Sequence, residues 1–155
     1  MCVRKLLGLA ALAALSMASA SAQYCNSIEP REASAILGGT AVPLNLGIHG
    51  CSFSVKGRPE RLSVMLLDAG ANARKTFDDM KKQTRTGGWF VAEESGLGYL
   101  GFSQMVRASA KVPSAKCEFV FLKGNQIIEV YVSGTTGKAV LDKLRPVAQK
   151  VAAHI

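Results

Sequence analysis

The sequence has few of the residues from which most active centres are built. Its 155 residues include two histidines, His49 and His154, one tryptophan, and only 6% aromatics. There is no Cys-x-x-Cys or His-x-x-x-His pair, so no single element offers two soft ligands to zinc or copper, and no metal site is expected. No Gly-Lys-Ser or Gly-Lys-Thr occurs, and Gly96-Leu97-Gly98 lacks the third glycine of a dinucleotide turn, so no nucleotide or other cofactor is implied. Acidic residues are also scarce, 11 against 19 basic ones. The adjacent pairs Asp78-Asp79 and Glu93-Glu94 cannot converge on one bond, because neighbours on a helix diverge by about 100° and neighbours on a strand point to opposite faces. Long apolar runs are absent after the first twenty residues, and no internal repeat is visible.

The one long apolar run, residues 6–18, follows Arg4 and Lys5 and precedes Ala20-Ser21-Ala22. That is the pattern of a secretory signal peptide, too short to span a bilayer and suited to cleavage before Gln23. The expected mature chain is residues 23–155, one domain, with a formal charge that falls from +8 to +6 with the loss of Arg4 and Lys5. Cys25 follows Tyr24, with Ala22 three residues before it, which does not suit lipidation. The expectation is a periplasmic or extracellular protein with no transmembrane segment after cleavage, where disulfides form.

Three cysteines, Cys25, Cys51 and Cys117, remain, and one bridge among them has three pairings. Cys25 to Cys51 is preferred because it ties down the mature N-terminus, with a chain-entropy effect of about 3 to 4 kcal/mol. Cys51 to Cys117 needs only that two inward strand positions be neighbours.

Pro30 followed by Ala33, Ile36 and Leu37 and then Gly38-Gly39 reads as a short helix. Residues 40–50 carry Pro43, Gly47 and Gly50 without sustained period and read as a loop that can hold an extended piece. Residues 51–56 and 62–68 alternate apolar and polar around Gly57-Arg58-Pro59-Glu60, a hairpin. Residues 71–85 switch to the helical period, with Ala73, Phe77, Met80 and Thr84 on one side and Gly87-Gly88 as the stop. Residues 89–93, 99–104, 116–123 and 126–133 read as four more strands, the last two joined by Gly124-Asn125. Cys117, Phe119 and Phe121 share a core face with Ile128, Val130 and Val132, leaving Glu118, Glu129 and Tyr131 outward. Thr135 or Thr136 can cap a last helix striped by Val140, Leu141, Leu144, Val147, Ala148 and Val151, which Pro146 should kink. This order predicts an α+β domain: an antiparallel sheet of about six strands with the helices on one face, a two-layer sandwich.

Cys25, the run Glu32-Ala33-Ser34-Ala35-Ile36-Leu37-Gly38, Cys51-Ser52-Phe53, the helix around Phe77, Gly96-Leu97-Gly98 and the late Phe-Leu-Lys-Gly hairpin are similar in order to a family of small bacterial secreted proteins and lipoproteins of unknown function. That family's pattern is an N-terminal Cys, a helix ending in Leu-Gly, a second Cys opening a strand, and Gly-Leu-Gly-Asp-Glu-Ala. This chain has Tyr99-Leu100-Gly101 in place of Asp-Glu-Ala. The resemblance implies a fold of the type seen in small photosystem-extrinsic-protein-like modules, and no reaction.

The basic surplus points to partners. Arg74, Lys75, Lys81, Lys82 and Arg85 crowd one helix, and Lys56, Arg58 and Arg61 one hairpin, so an anionic envelope component or an acidic protein patch is the expected contact. Nucleic acid is not expected after export, and the strands lack aromatics interleaved with basic residues. Trp89, Phe90, Tyr99, Phe102 and Met105 line either a small-ligand cleft or the core. The reading is a non-catalytic binding or accessory protein. The alternatives are a small enzyme, metal or redox protein using Cys117 or His49, and an inhibitory or structural secreted protein.

Overall fold

The computed structural model describes residues 26–110 and 112–154; the expected signal segment 1–22, its cleavage site and Cys25 lie outside them. The elements run α1 (Pro30–Leu37), β1 (Ala41–Asn45), β2 (Gly50–Val55), β3 (Arg61–Asp68), α2 (Ala73–Thr86), β4 (Phe90–Glu94), β5 (Leu100–Val106), β6 (Lys116–Lys123), β7 (Gln126–Ser133) and α3 (Lys138–His154). All strands join one antiparallel sheet in the order β1-β2-β3-β7-β6-β5-β4. Two meanders therefore meet at the β3–β7 pairing, and α2 carries the chain from one to the far edge.

The chain is α+β, as its order of elements implies. Two details differ from the sequence reading. Residues 41–45 are a strand, the sheet's edge, which makes seven strands among the described residues. The helices also occupy both faces. Cys51, Phe53, Leu62, Val64, Phe119, Phe121, Ile128, Val130 and Val132 form one core with Ala33 and Leu37 of α1 and Leu141, Leu144, Val147 and Val151 of α3. Phe102, Val120 and Ile127 point the other way and pack with Phe77 of α2, with Met80, Val91 and Leu122 around them. The two-layer sandwich is thus corrected to a sheet between helices. An amphipathic pattern says which side of a helix is buried but not which side of the sheet receives it.

Local chemistry sets the ends of these elements. The Glu29 N–H donates to Glu32 Oε2 at 2.8 Å at the start of α1, and Gly38 closes the helix in the left-handed region at φ 69°. Lys150 Nζ donates to Glu32 Oε1 at 2.9 Å and ties α3 to α1. At Gly50 (φ 143°) a Cβ would stand 1.9 Å from the Val64 carbonyl oxygen, so β2 can begin against β3 only with glycine there. The first part of the β1 edge is blocked against a further strand. The Leu46 N–H donates to Gly50 O at 3.1 Å, which sets the alternation so that the backbone hydrogen-bonding groups of Ala41 and Pro43 point away from β2, although the Ala41 side chain is buried. Pro43 has no N–H, and that of Ala41 is taken by Ser34 Oγ at 2.9 Å.

Candidate binding site

A row of directly paired residues crosses the sheet on the α3 side: Phe90, Met105, Cys117 and Val132. The start of α3 covers the inner part of this row. The Gly137 N–H donates to Cys117 Sγ at 3.3 Å, and the thiol lies 3.5 Å from Gly137 O. The outer part, Phe90 and Met105, lies beyond the helix, and the gap is a cleft of about 670 Å³. Its walls are Gly87, Gly88 and Trp89 from the turn after α2, Arg107 beyond the end of β5, and Thr136, Gly137 and Lys138 at the N-terminus of α3. The indole is set by the residue before the turn. A Cβ on Gly87 would come within 2.7 Å of Trp89 Cε3 and Cζ3, so the ring lies directly over bare backbone. None of the lining residues is acidic.

The opposite face holds a buried polar chain. The Thr84 hydroxyl of α2 donates to Gln104 Oε1 of β5 at 2.5 Å. Gln104 Nε2 donates in turn to Glu118 of β6, which is fully buried. Lys116 Nζ pairs with Glu118 Oε2 at 2.7 Å. Burial works against the Lys116 charge, but Glu118 outweighs it and raises its pKa. Glu118 Oε1 has no donor among these groups. The neighbouring Glu129, where burial first and the Glu118 charge second push the carboxyl up to about 7, can supply one as a protonated acid. Sequence alternation placed Glu118 on an outer surface; this is corrected, because α2 and its polar Thr84 roof that part of the sheet.

The basic residues of α2 are mostly engaged. Arg74 pairs with Asp78 at 2.9 Å, Lys75 with Asp79 at 2.5 Å, and Lys81 and Arg85 with Glu93 at 2.9 and 3.3 Å. Lys82 has no acidic partner among the described residues and borders a shallow groove with Asp79, Gln83 and Thr86. The helix thus presents alternating charge with one free cation. Cys51 is disulfide-bonded and Cys117 is a free, buried thiol, which removes both pairings that used Cys117. Burial pushes the Cys117 thiol up, against the Gly137 contact. His49 is exposed in the short turn Gly47–His49. Of the five residues named as either cleft or core, Trp89, Phe90 and Met105 line the cleft. Phe102 is core under α2, and Tyr99 packs at the edge of the other core. Arg107, Gly137 and Lys138 complete the site, and no sequence pattern marks them.

Neither a protein-family model nor a curated protein matches this chain. Among solved structures it is similar to the solution structure of cyanobacterial PsbP (CyanoP) from Synechocystis sp. PCC 6803. The identity is 14% over 74% of this chain and 79% of that one, with a TM-score of 0.40. No helix among the described residues is long and apolar enough to cross a membrane.

Proposed function

We propose that the chain is an exported, non-catalytic binding module that holds a small ligand in the cleft between the β4–β5 edge and the start of α3. The observation that carries this reading is the cleft itself. It is about 670 Å³ in volume, a size that suits a small molecule, and it exposes Trp89, Phe90 and Met105 where the sheet's helical cover stops. The apolar groups Phe90 and Met105 form the floor and polar groups make up much of the rest of the lining, so the cleft suits a ligand with both an apolar body and a polar group. A non-catalytic role agrees with the state of Cys117: buried, protonated and hydrogen-bonded to Gly137, it is a poor nucleophile. The leader-like segment 1–22 supports export, and the proposed Cys25–Cys51 bridge fits the disulfide at Cys51 and the free Cys117.

The test is a fragment screen by amide and indole chemical shifts on the mature protein recovered from the periplasm. The expected result is a set of fragments that move the resonances of Trp89, Met105 and Gly137 together and leave α2 still. Fragments that move only other surfaces, or none at millimolar concentration, would refute the reading.

A further inference from the structure

Building on the binding reading above, we infer that the ligand of this cleft is a small organic anion with a flat, apolar body, such as an aromatic carboxylate, its body against Trp89, Phe90 and Met105 and its charge at Arg107. The argument rests on how the lining is divided. The indole, the phenyl ring and the thioether are flat or polarisable apolar groups, two of them directly paired across β4 and β5, and ring stacking and sulfur contacts favour a planar partner there. The charged groups of the lining are Arg107 and Lys138, with no carboxylate among them.

The two cations are not equivalent. Lys138 Nζ is paired with Asp142 at 2.8 Å in an exposed i,i+4 contact whose side chains are 80% and 51% accessible, which spends part of its charge outward. Arg107 is exposed and has no acidic partner within 4 Å among the described residues. The arginines of the three helices, Arg31, Arg74, Arg85 and Arg145, each have one, whereas Arg58 and Arg61, like Arg107, have none among the described residues, and of these three only Arg107 lines the cleft. A guanidinium left open beside aromatic walls matches a carboxylate geometrically as well as electrostatically. The N-terminus of the 17-residue α3 also lines the cleft, through Gly137 and Lys138, and adds to the positive field. The charges of Arg107 and Lys138 would repel a cationic ligand, and a neutral one would forgo the ion pair with Arg107.

Trp89 is the only tryptophan, so its indole N–H gives a single resonance that reports on this cleft. The probes are 2-naphthoate, its neutral isostere 2-naphthalenemethanol and the cation 2-naphthylmethylammonium, titrated at equal ionic strength into the mature protein and into Arg107→Gln. The expected result is that naphthoate shifts the Trp89 resonance with an affinity about tenfold or more above that of the alcohol. The cation should be weakest, and in Arg107→Gln the acid and alcohol should fall within about threefold of each other. If the alcohol or the cation binds as tightly as the acid, or Arg107→Gln leaves the preference intact, the anion assignment is wrong while the cleft remains a binding site. If no probe moves Trp89 at several millimolar, or naphthoate moves only resonances around Lys82, the cleft reading falls with it.

Discussion

The buried carboxyl pair makes the stability of this protein depend on pH in an unusual direction. Most of its displaced acids lie low. Burial raises Glu94, but the Arg145 guanidinium overrides it and holds the carboxyl below the ordinary range. Lys81 does the same for Glu93, and in Glu32 burial is outweighed by the Glu29 N–H and Lys150. These groups stabilise the fold above the ordinary carboxylate range, and the effect is lost as pH falls through their folded values. Glu129 has the opposite sign. Its folded carboxyl titrates near 7 rather than 4.5, so the native state binds the proton more tightly than the unfolded chain. Its contribution is complete below about pH 4.5 and is lost as pH rises to about 7. At about 1.4 kcal/mol per pH unit, the loss is about 3 kcal/mol at most. Part of it is relieved because solvent reaches the half-buried Glu129 carboxyl.

Glu129→Gln isolates this effect, because the amide keeps a donor for Glu118 and carries no charge at any pH. Urea unfolding of both proteins at pH 5, 6, 7 and 8 is the assay. Between pH 5 and 8 the native protein should lose about 1 to 2 kcal/mol more than the variant does. Above pH 7 the variant should therefore be the more stable protein. His49 and His154 are exposed and common to both proteins, so they drop out of the difference between the two curves. A variant with the native slope from pH 5 to 8 would show that Glu118 and Glu129 do not share a proton in the folded state.

The remaining predictions concern the packing and the cleft. Phe77→Ala removes a fully buried ring set edge-on to Phe102 at 5.0 Å between centroids and should cost about 3 to 5 kcal/mol in urea unfolding; a cost below about 1 kcal/mol would mean that α2 is not packed on the second face. Gly87→Ala keeps a backbone that alanine accepts, φ −71°, yet must push the indole aside. Stability should then stay within about 1 kcal/mol while acrylamide quenching of Trp89 rises, and unchanged quenching would contradict the ring's seat over Gly87. Cys117 should resist maleimide in the folded protein and react fully in denaturant, since it is buried and protonated; rapid labelling of the native protein would restore the thiol-enzyme alternative.

What the sequence reveals is unequal across the two faces. Alternation in β2, β3 and β7 marks the core shared with α1 and α3, and those residues are buried as their period implies. The second face has its own trace, in the unbroken run Phe119-Val120-Phe121-Leu122 and the pair Ile127-Ile128, because a strand covered on both sides has no polar face to alternate with. Reading those strands as half-buried assigned all three helices to one side. The same assumption turned Glu118 outward, although a carboxylate beside Lys116 and within reach of Gln104 can be buried once paired. The cleft is legible only in part. Trp89, Phe90 and Met105 are visible as a cluster of large apolar residues, but they form a wall rather than core because α3 begins at Lys138, over Cys117, and meets β4 only at its far end, where Arg145 pairs with Glu94, leaving the Phe90 end open. Where a helix starts relative to a sheet edge is a matter of tertiary placement, which periodicity does not encode. Arg107 follows from the same cause: it lies just beyond β5, and only the uncovered floor beside it turns an ordinary surface arginine into the charged end of a site.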